Sequence, residues 1–126
     1  MKTIIKYPSD AMVLRLWRET LIKQRGNKCQ YPMCAVTKLI NAHHLVDKQF
    51  FPFRYDLDNG FLLCVLHHKY GVMSAHKDPF FISDMITEHI LTQGIIDKLF
   101  WGLKSSPNVG KDKESRLKAY EYLKSI

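Results

Sequence analysis

The chain has 126 residues, 46% of them apolar and 25% charged, and its 19 Lys and Arg against 12 Asp and Glu give a formal net charge of +7. That balance excludes a disordered or fibrous chain, and the length fits one domain near the size at which a structural metal adds useful stability. No apolar run is long enough to cross a bilayer, and the opening "MKTIIKYPSD" is broken by Pro8 too soon for a signal peptide. The chain is therefore expected in the cytoplasm, with Cys29, Cys34 and Cys64 reduced rather than paired.

In chain order, residues 9–25, "SDAMVLRLWRETLIKQR", place Val13, Leu16, Trp17, Thr20 and Leu21 at helical spacing, with Ser9 as N-cap and Gly26 as the stop. Residues 1–28 thus read as a basic N-terminal helix. The positive charge concentrates here: residues 1–42 hold eight basic and two acidic side chains, 43–80 four of each, and 81–126 seven and six. Lys6, Arg15, Arg18, Lys23, Arg25, Lys28 and Lys38 suit either a polyanionic partner or a plain solvated helix face.

From Asn27 to Pro79 the helical period gives way to Cys, His and turn residues. Two short apolar runs, "KLINAHHLV" and "GFLLCV", read as strands of a hairpin-like pair joined by the long aromatic loop "DKQFFPFRYDLDN". "DLDNG" is no calcium loop, because its glycine falls one position early and no glutamate follows at the required distance. In "DPFFISDMITEHILTQG", Asp78 reads as an N-cap and Pro79 as the first helical residue, with Ile82, Met85, Ile86 and Ile90 on one face and Gly94 as the end. A further helical piece runs through Ile95, Ile96, Leu99, Phe100 and Leu103. "KSSPNVGK" reads as a turn, and "KDKESRLKAYEYLKSI" as a terminal helix with Leu117, Tyr120 and Leu123 inward. The expected fold class is α+β, mostly helical, with residues 81–126 forming the C-terminal helices.

Two kinds of metal site are written into the centre. Cys29 and Cys34, in "CQYPMC", are separated by a proline-bearing turn that can aim two thiolates at one ion. Cys64 follows thirty residues later, with His67 three further on. This two-pair spacing resembles a zinc ribbon, and three thiolates with one imidazole favour zinc; the plain alternative is that the cysteines are small buried apolar residues. That set leaves His68 over. On a helix starting near Val65, neighbours 67 and 68 point about 100° apart, so they serve different partners. In "NAHHLV", a strand sends His43 and His44 to opposite sides, so one can hold an ion while the other reaches toward a substrate.

The succession "AHHLV", "YDLDNG" and "LCVLHHKYG" resembles the HNH endonuclease family, built on a ββα-metal motif, in the version that carries an additional structural zinc. The resemblance covers roughly residues 29–80. It implies a metal-dependent endonuclease that hydrolyses DNA phosphodiester bonds, with His43 and His68 holding a catalytic divalent ion, His44 as general base, and Asn59 bracing the loop that keeps the base in position. Cys29, Cys34, Cys64 and His67 would hold the structural Zn²⁺. The sequence departs from the pattern in three places: four residues intervene in the first knuckle, His67 stands where a fourth cysteine is usual, and Val72 occupies the position four beyond His68 where some members carry another ligand. His76 is the candidate third ligand, or else a histidine capping the next helix; it lies eight residues beyond His68 if the helix continues, and Gly71 can bend it closer.

The catalytic ion can be Mg²⁺, Mn²⁺, Ni²⁺ or Zn²⁺, since histidine accepts all four. The expected partner is DNA, double-stranded, met through backbone phosphates by Arg15, Arg18, Lys23, Arg25, Lys28, Lys69 or Lys77, with no membrane. The resemblance also suits a phage or mobile-element product acting in the host cytoplasm, alone or beside a larger phage or host protein. A zinc-stabilised nucleic-acid-binding module without catalysis is the competing reading, and the residues do not set an oligomeric state.

Overall fold

The computed structural model describes residues 6–71, 74–88 and 90–126. Val72, the position of a further ligand in some relatives of the motif, lies outside the described residues.

The architecture is α+β, roughly half helical: a two-stranded antiparallel sheet flanked by N- and C-terminal helices. Helix α1 spans Asp10–Arg25. Ser9 caps it by accepting a hydrogen bond from the Met12 amide, and Gly26 ends it at φ 86°, in the left-handed region open to glycine. Strands β1 (Asn41–His44) and β2 (Gly60–Leu63) pair with His43 opposite Phe61 and His44 opposite Gly60. The connecting loop contains two short 3₁₀ turns, Phe51–Phe53 and Leu57–Asn59. Helices α2 (Phe81–Thr87), α3 (Gln93–Gly102) and α4 (Lys113–Ser125) follow. No helix among the described residues is long and apolar enough to cross a membrane.

One apolar cluster draws on almost every element: Val13, Trp17 and Leu21 of α1, Phe61, Leu62 and Leu63 of β2, Phe81 and Met85 of α2, Leu91, and Leu123 of α4. All four residues of β2 are buried, which is why its sequence is a continuous apolar run rather than an alternating one. Helix α1 crosses this strand closely enough that a Cβ on Gly60 would lie 2.6 Å from the Trp17 ring and 2.7 Å from a Leu21 methyl.

The C-terminal half departs from expectation. Asp78 caps only a turn, accepting from the Phe80 amide, so α2 starts at Phe81. It stops at Thr87, where the amides of Ile90 and Leu91 both turn back to the Met85 carbonyl. Gly94 is therefore inside α3, whose first turn is capped by Thr92, and is not a helix end. The inward face of α2 is Phe81 and Met85; Ile82 and Ile86 are exposed. A seven-residue helix has room for one buried stripe, and the larger Phe81 ring occupies it.

Gly60→Ala is expected to destabilise the fold by about 1–3 kcal/mol, because the added methyl has to displace the locked rings beneath it. A denaturation midpoint equal to the wild type would show that α1 and β2 do not meet so closely.

Candidate metal centres and the cleft beside them

The fold gathers the sulfurs of Cys29, Cys34 and Cys64 with a ring nitrogen of His67, all four ligand atoms within 4.8 Å of one another. Cys29 sits where the chain leaves the α1 loop and joins the sheet edge: the Gln30 amide donates to the Leu62 carbonyl, and the Gln30 side chain accepts from the Leu62 amide. The knuckle then closes on itself through Cys29 N–H to Val36 O at 2.9 Å and Cys34 N–H to Tyr31 O at 3.0 Å. Cys64 follows directly on β2.

Individual separations are 3.4 Å for Cys29 Sγ to His67 Nδ1, 3.3 Å for Cys64 Sγ to His67 Nδ1, and 4.0 Å for Cys34 Sγ to Cys64 Sγ. A zinc tetrahedron with bonds of about 2.3 Å to sulfur and about 2.0–2.1 Å to nitrogen has edges of roughly 3.6–3.8 Å. The donor set and its spacing thus fit zinc, and His67 completes it with Nδ1. Burial pushes the Cys29 thiol up to about 12. Burial also raises the Cys64 thiol, but the amides of His67 and Leu66 and the neighbouring thiols outweigh it and leave Cys64 below the ordinary value. A bound cation would favour the thiolate form of Cys29 against that burial. Tyr31 stacks on the His67 ring, centroids 4.0 Å apart, and fixes its plane.

The segment from Cys64 to Tyr70 departs from the expected α-helix. The His68 amide still bonds the Cys64 carbonyl, but the Gly71 amide reaches back five residues to Leu66, so Leu66–Tyr70 is a single π-turn. The turn ends at Gly71, and Ala75 and His76 lie back along it instead of extending it. Ala75 N–H donates to His67 O at 2.7 Å and His76 N–H to His68 O at 3.1 Å. This return, and not an eight-residue helical repeat, brings His76 to the second cluster.

That cluster is His43, His68 and His76, again with one ligand atom each inside 4.8 Å. The Nε2 atoms of His68 and His76 are 3.1 Å apart, and His43 turns its ring edge toward both, centroids 5.1 and 5.0 Å away. Burial, then the neighbouring rings of His68, His76 and His44, pushes His43 down to about 3. Burial, then His76 and Lys69, pushes His68 down to about 4. Both rings are therefore neutral at pH 7, the form that can donate a lone pair to a divalent ion. His43 and His68 are half-buried and His76 is exposed, so the set faces solvent on one side and is open where the cysteine cluster is closed.

His44 leaves β1 on the other face from His43 and lies flat against Trp17, centroids 4.2 Å apart at 15°. Its Nε2 is 2.9 Å from the Arg54 carbonyl. A carbonyl only accepts, so the proton is on Nε2 and the lone pair is on Nδ1. Burial holds this imidazole below the usual histidine value against the opposing pull of that carbonyl, so the ring is neutral at pH 7. Asn59, fully buried, donates from Nδ2 to the carbonyls of Val46 and Phe53 and accepts at Oδ1 from the Val46 amide at 2.7 Å. One side chain thereby joins the segment after His44 to the segment bearing Arg54.

His43, His44, His68 and His76 border one cleft of about 410 Å³, with Lys48 and Lys69 on its rim. Lys48 escaped the sequence reading because nothing in its loop marks it as near the histidines. The Arg54 carbonyl is equally invisible, since any residue supplies one. Two of the arginines expected on phosphates also bond to the protein's own backbone, exposed Arg18 at one atom and half-buried Arg25 at several. Arg18 donates to the Ile40 carbonyl at 2.9 Å; Arg25 donates to the carbonyls of Leu57 and Gly60 and to Gln30. They bind α1 to the sheet and its loop.

The chain matches no protein-family model, no curated protein and no solved structure.

Chelation of the purified chain is expected to remove one tightly held zinc and lower its thermal midpoint sharply, whereas His67→Cys, which preserves four soft ligands, keeps the metal. Loss of zinc from His67→Cys together with retention by His67→Ala would remove His67 from the site. Asn59→Ala takes their partner from the Val46 amide and carbonyl and one of two donors from the Phe53 carbonyl, and is expected to cost on the order of 3 kcal/mol, measured by denaturant unfolding of the zinc-loaded chain.

Proposed function

We propose that this protein is a metal-dependent endonuclease that hydrolyses DNA phosphodiester bonds, with His44 as general base. The observation that carries the reading is a division of labour among four histidines on one cleft: three converge on a common point, and the fourth is held apart with its Nε2 proton committed and its Nδ1 without a hydrogen bond among the described residues. The resemblance of "AHHLV", "YDLDNG" and "LCVLHHKYG" to the HNH family supports the same assignment of residues.

In this reading His44 Nδ1 takes the proton of the attacking water. The ring then becomes an imidazolium, which the face of Trp17 and the Arg54 carbonyl both favour. Asn59 keeps that carbonyl and the strand end in register, so the base does not have to be ordered during the reaction. Lys48 and Lys69 draw the phosphate into the cleft without reading bases. A divalent ion held by His43, His68 and His76 would supply Lewis-acid stabilisation of the leaving oxygen. Cys29, Cys34, Cys64 and His67 keep the turn that carries His68 attached to the strands.

The test is plasmid cleavage across Mg²⁺, Mn²⁺, Ni²⁺ and Zn²⁺ with chelator controls. His44→Ala is expected to lower the rate by about 10²–10⁴-fold while the variant stays folded and keeps its structural zinc. Full cleavage by that variant would exclude His44 as the base. A wild-type chain that binds DNA and a single zinc but cleaves under no metal would be a nucleic-acid-binding module instead.

A further inference from the structure

Helix α1 precedes the segment that resembles the nuclease motif, yet it bears on His44 twice, once through direct contact and once through Arg54. Trp17 forms the floor under the imidazole and donates from its indole to the Asp56 carbonyl at 2.9 Å. The other contact is indirect. Arg54, whose carbonyl receives the His44 Nε2 proton, turns its guanidinium onto Asp10, the first residue of α1: Nε to Oδ1 at 2.8 Å and Nη2 to Oδ2 at 2.6 Å. The third nitrogen, Nη1, donates to the Lys48 carbonyl at 2.8 Å, and the Tyr55 hydroxyl also donates to Asp10.

One planar guanidinium thus ties three pieces of chain together: the start of α1, the segment just after His44, and the turn that presents the carbonyl. Only 12% of the Arg54 side chain is exposed, so this fork is shielded more than a surface ion pair would be. Asp10 stands in the first helical turn, where unpaired amides favour a carboxylate, and the Arg54 guanidinium with the Tyr55 hydroxyl holds its pKa below 3.8 against burial.

We propose that the Asp10–Arg54 clasp is the positioning device of the general base, acting through the Arg54 carbonyl to keep the His44 ring in the Nε2–H form with Nδ1 toward the cleft. The role as base rests on the endonuclease reading; the positioning does not. Neither Asp10 nor Arg54 lines the histidine cleft, and a lysine at 54 would retain the charge but not the three-way fork.

The experiment uses the zinc-loaded full chain, with Asp10→Asn and Arg54→Lys compared with Asp97→Asn, which removes an exposed carboxylate on α3. In histidine-labelled protein above pH 7, the hydrogen-bonded Nε2 proton of His44 is expected to be visible in the wild type and in Asp97→Asn. It is expected to be lost to exchange in both clasp variants. Plasmid cleavage by the clasp variants is expected to fall about 10–100-fold in kcat, with KM for DNA changed by less than about threefold. A merely structural pair would lower the thermal midpoint and leave the Nε2 signal and the kcat of the folded chain unchanged, and that result overturns the proposal. Should one variant fail to fold, the other decides alone, with Asp10→Glu restoring part of the signal. If the wild type cleaves nothing, the endonuclease reading falls, and the Nε2 signal still decides the clasp: lost in the variants it stands, kept it does not.

Discussion

Two consecutive histidines that must face different ligand sets set the terms for the rest of this molecule. His67 belongs with three sulfurs and His68 with two other imidazoles, and the π-turn from Leu66 to Tyr70 is the local geometry that lets both be satisfied. Such turns interrupt the regular amide ladder and are weak alone. Here each neighbouring set holds the turn from one side: the cysteine knuckle through His67, and the returning chain through amides donated to the carbonyls of His67 and His68. The closed, sulfur-rich cluster and the open, imidazole-rich one differ in the way that structural and reactive metal sites differ. The first anchors the turn on which the second depends.

The other half of the cleft depends on a missing side chain. Because residue 60 is glycine, Trp17 can lie over the start of β2, and from there its ring reaches His44 on the facing strand. Packing and chemistry therefore share one contact. The residue that seals the core between helix and sheet is also the surface on which the imidazole lies, and its indole nitrogen secures the loop at Asp56. Asn59, between these elements, saturates its amide on the same loop from within. The basic residues of α1 play a related part: Arg18 and Arg25 fasten the helix to backbone carbonyls.

Much of this was legible in the sequence because it is local. The capped amphipathic α1, the two short strands, the terminal helix and the set Cys29, Cys34, Cys64 and His67 follow from side-chain type and spacing, which a single helix, strand or knuckle obeys by itself, whereas the grouping of His43 with His68 was implied by the family resemblance. Local signals misled where two were in competition. Asp78 and Gly94 looked like a start and a stop, but the turn at Ile90 and Leu91 closed α2 early, and Ile82 and Ile86 lost the inward face to Phe81.

What the sequence determined alone was therefore a set of residues: three cysteines and a histidine at metal-ligand spacing, and further histidines at 43, 44, 68 and 76 whose separate roles only the resemblance implied. Only the tertiary structure decided how they work together. The route by which His76 returns, the atom of His44 left free, and the placing of Lys48 on the rim depend on backbone carbonyls and on contacts between segments far apart in the chain. A backbone carbonyl is the same at every position, so no residue name reveals which one will orient an imidazole. That choice is made when α1, through Asp10 and Trp17, closes against the loop.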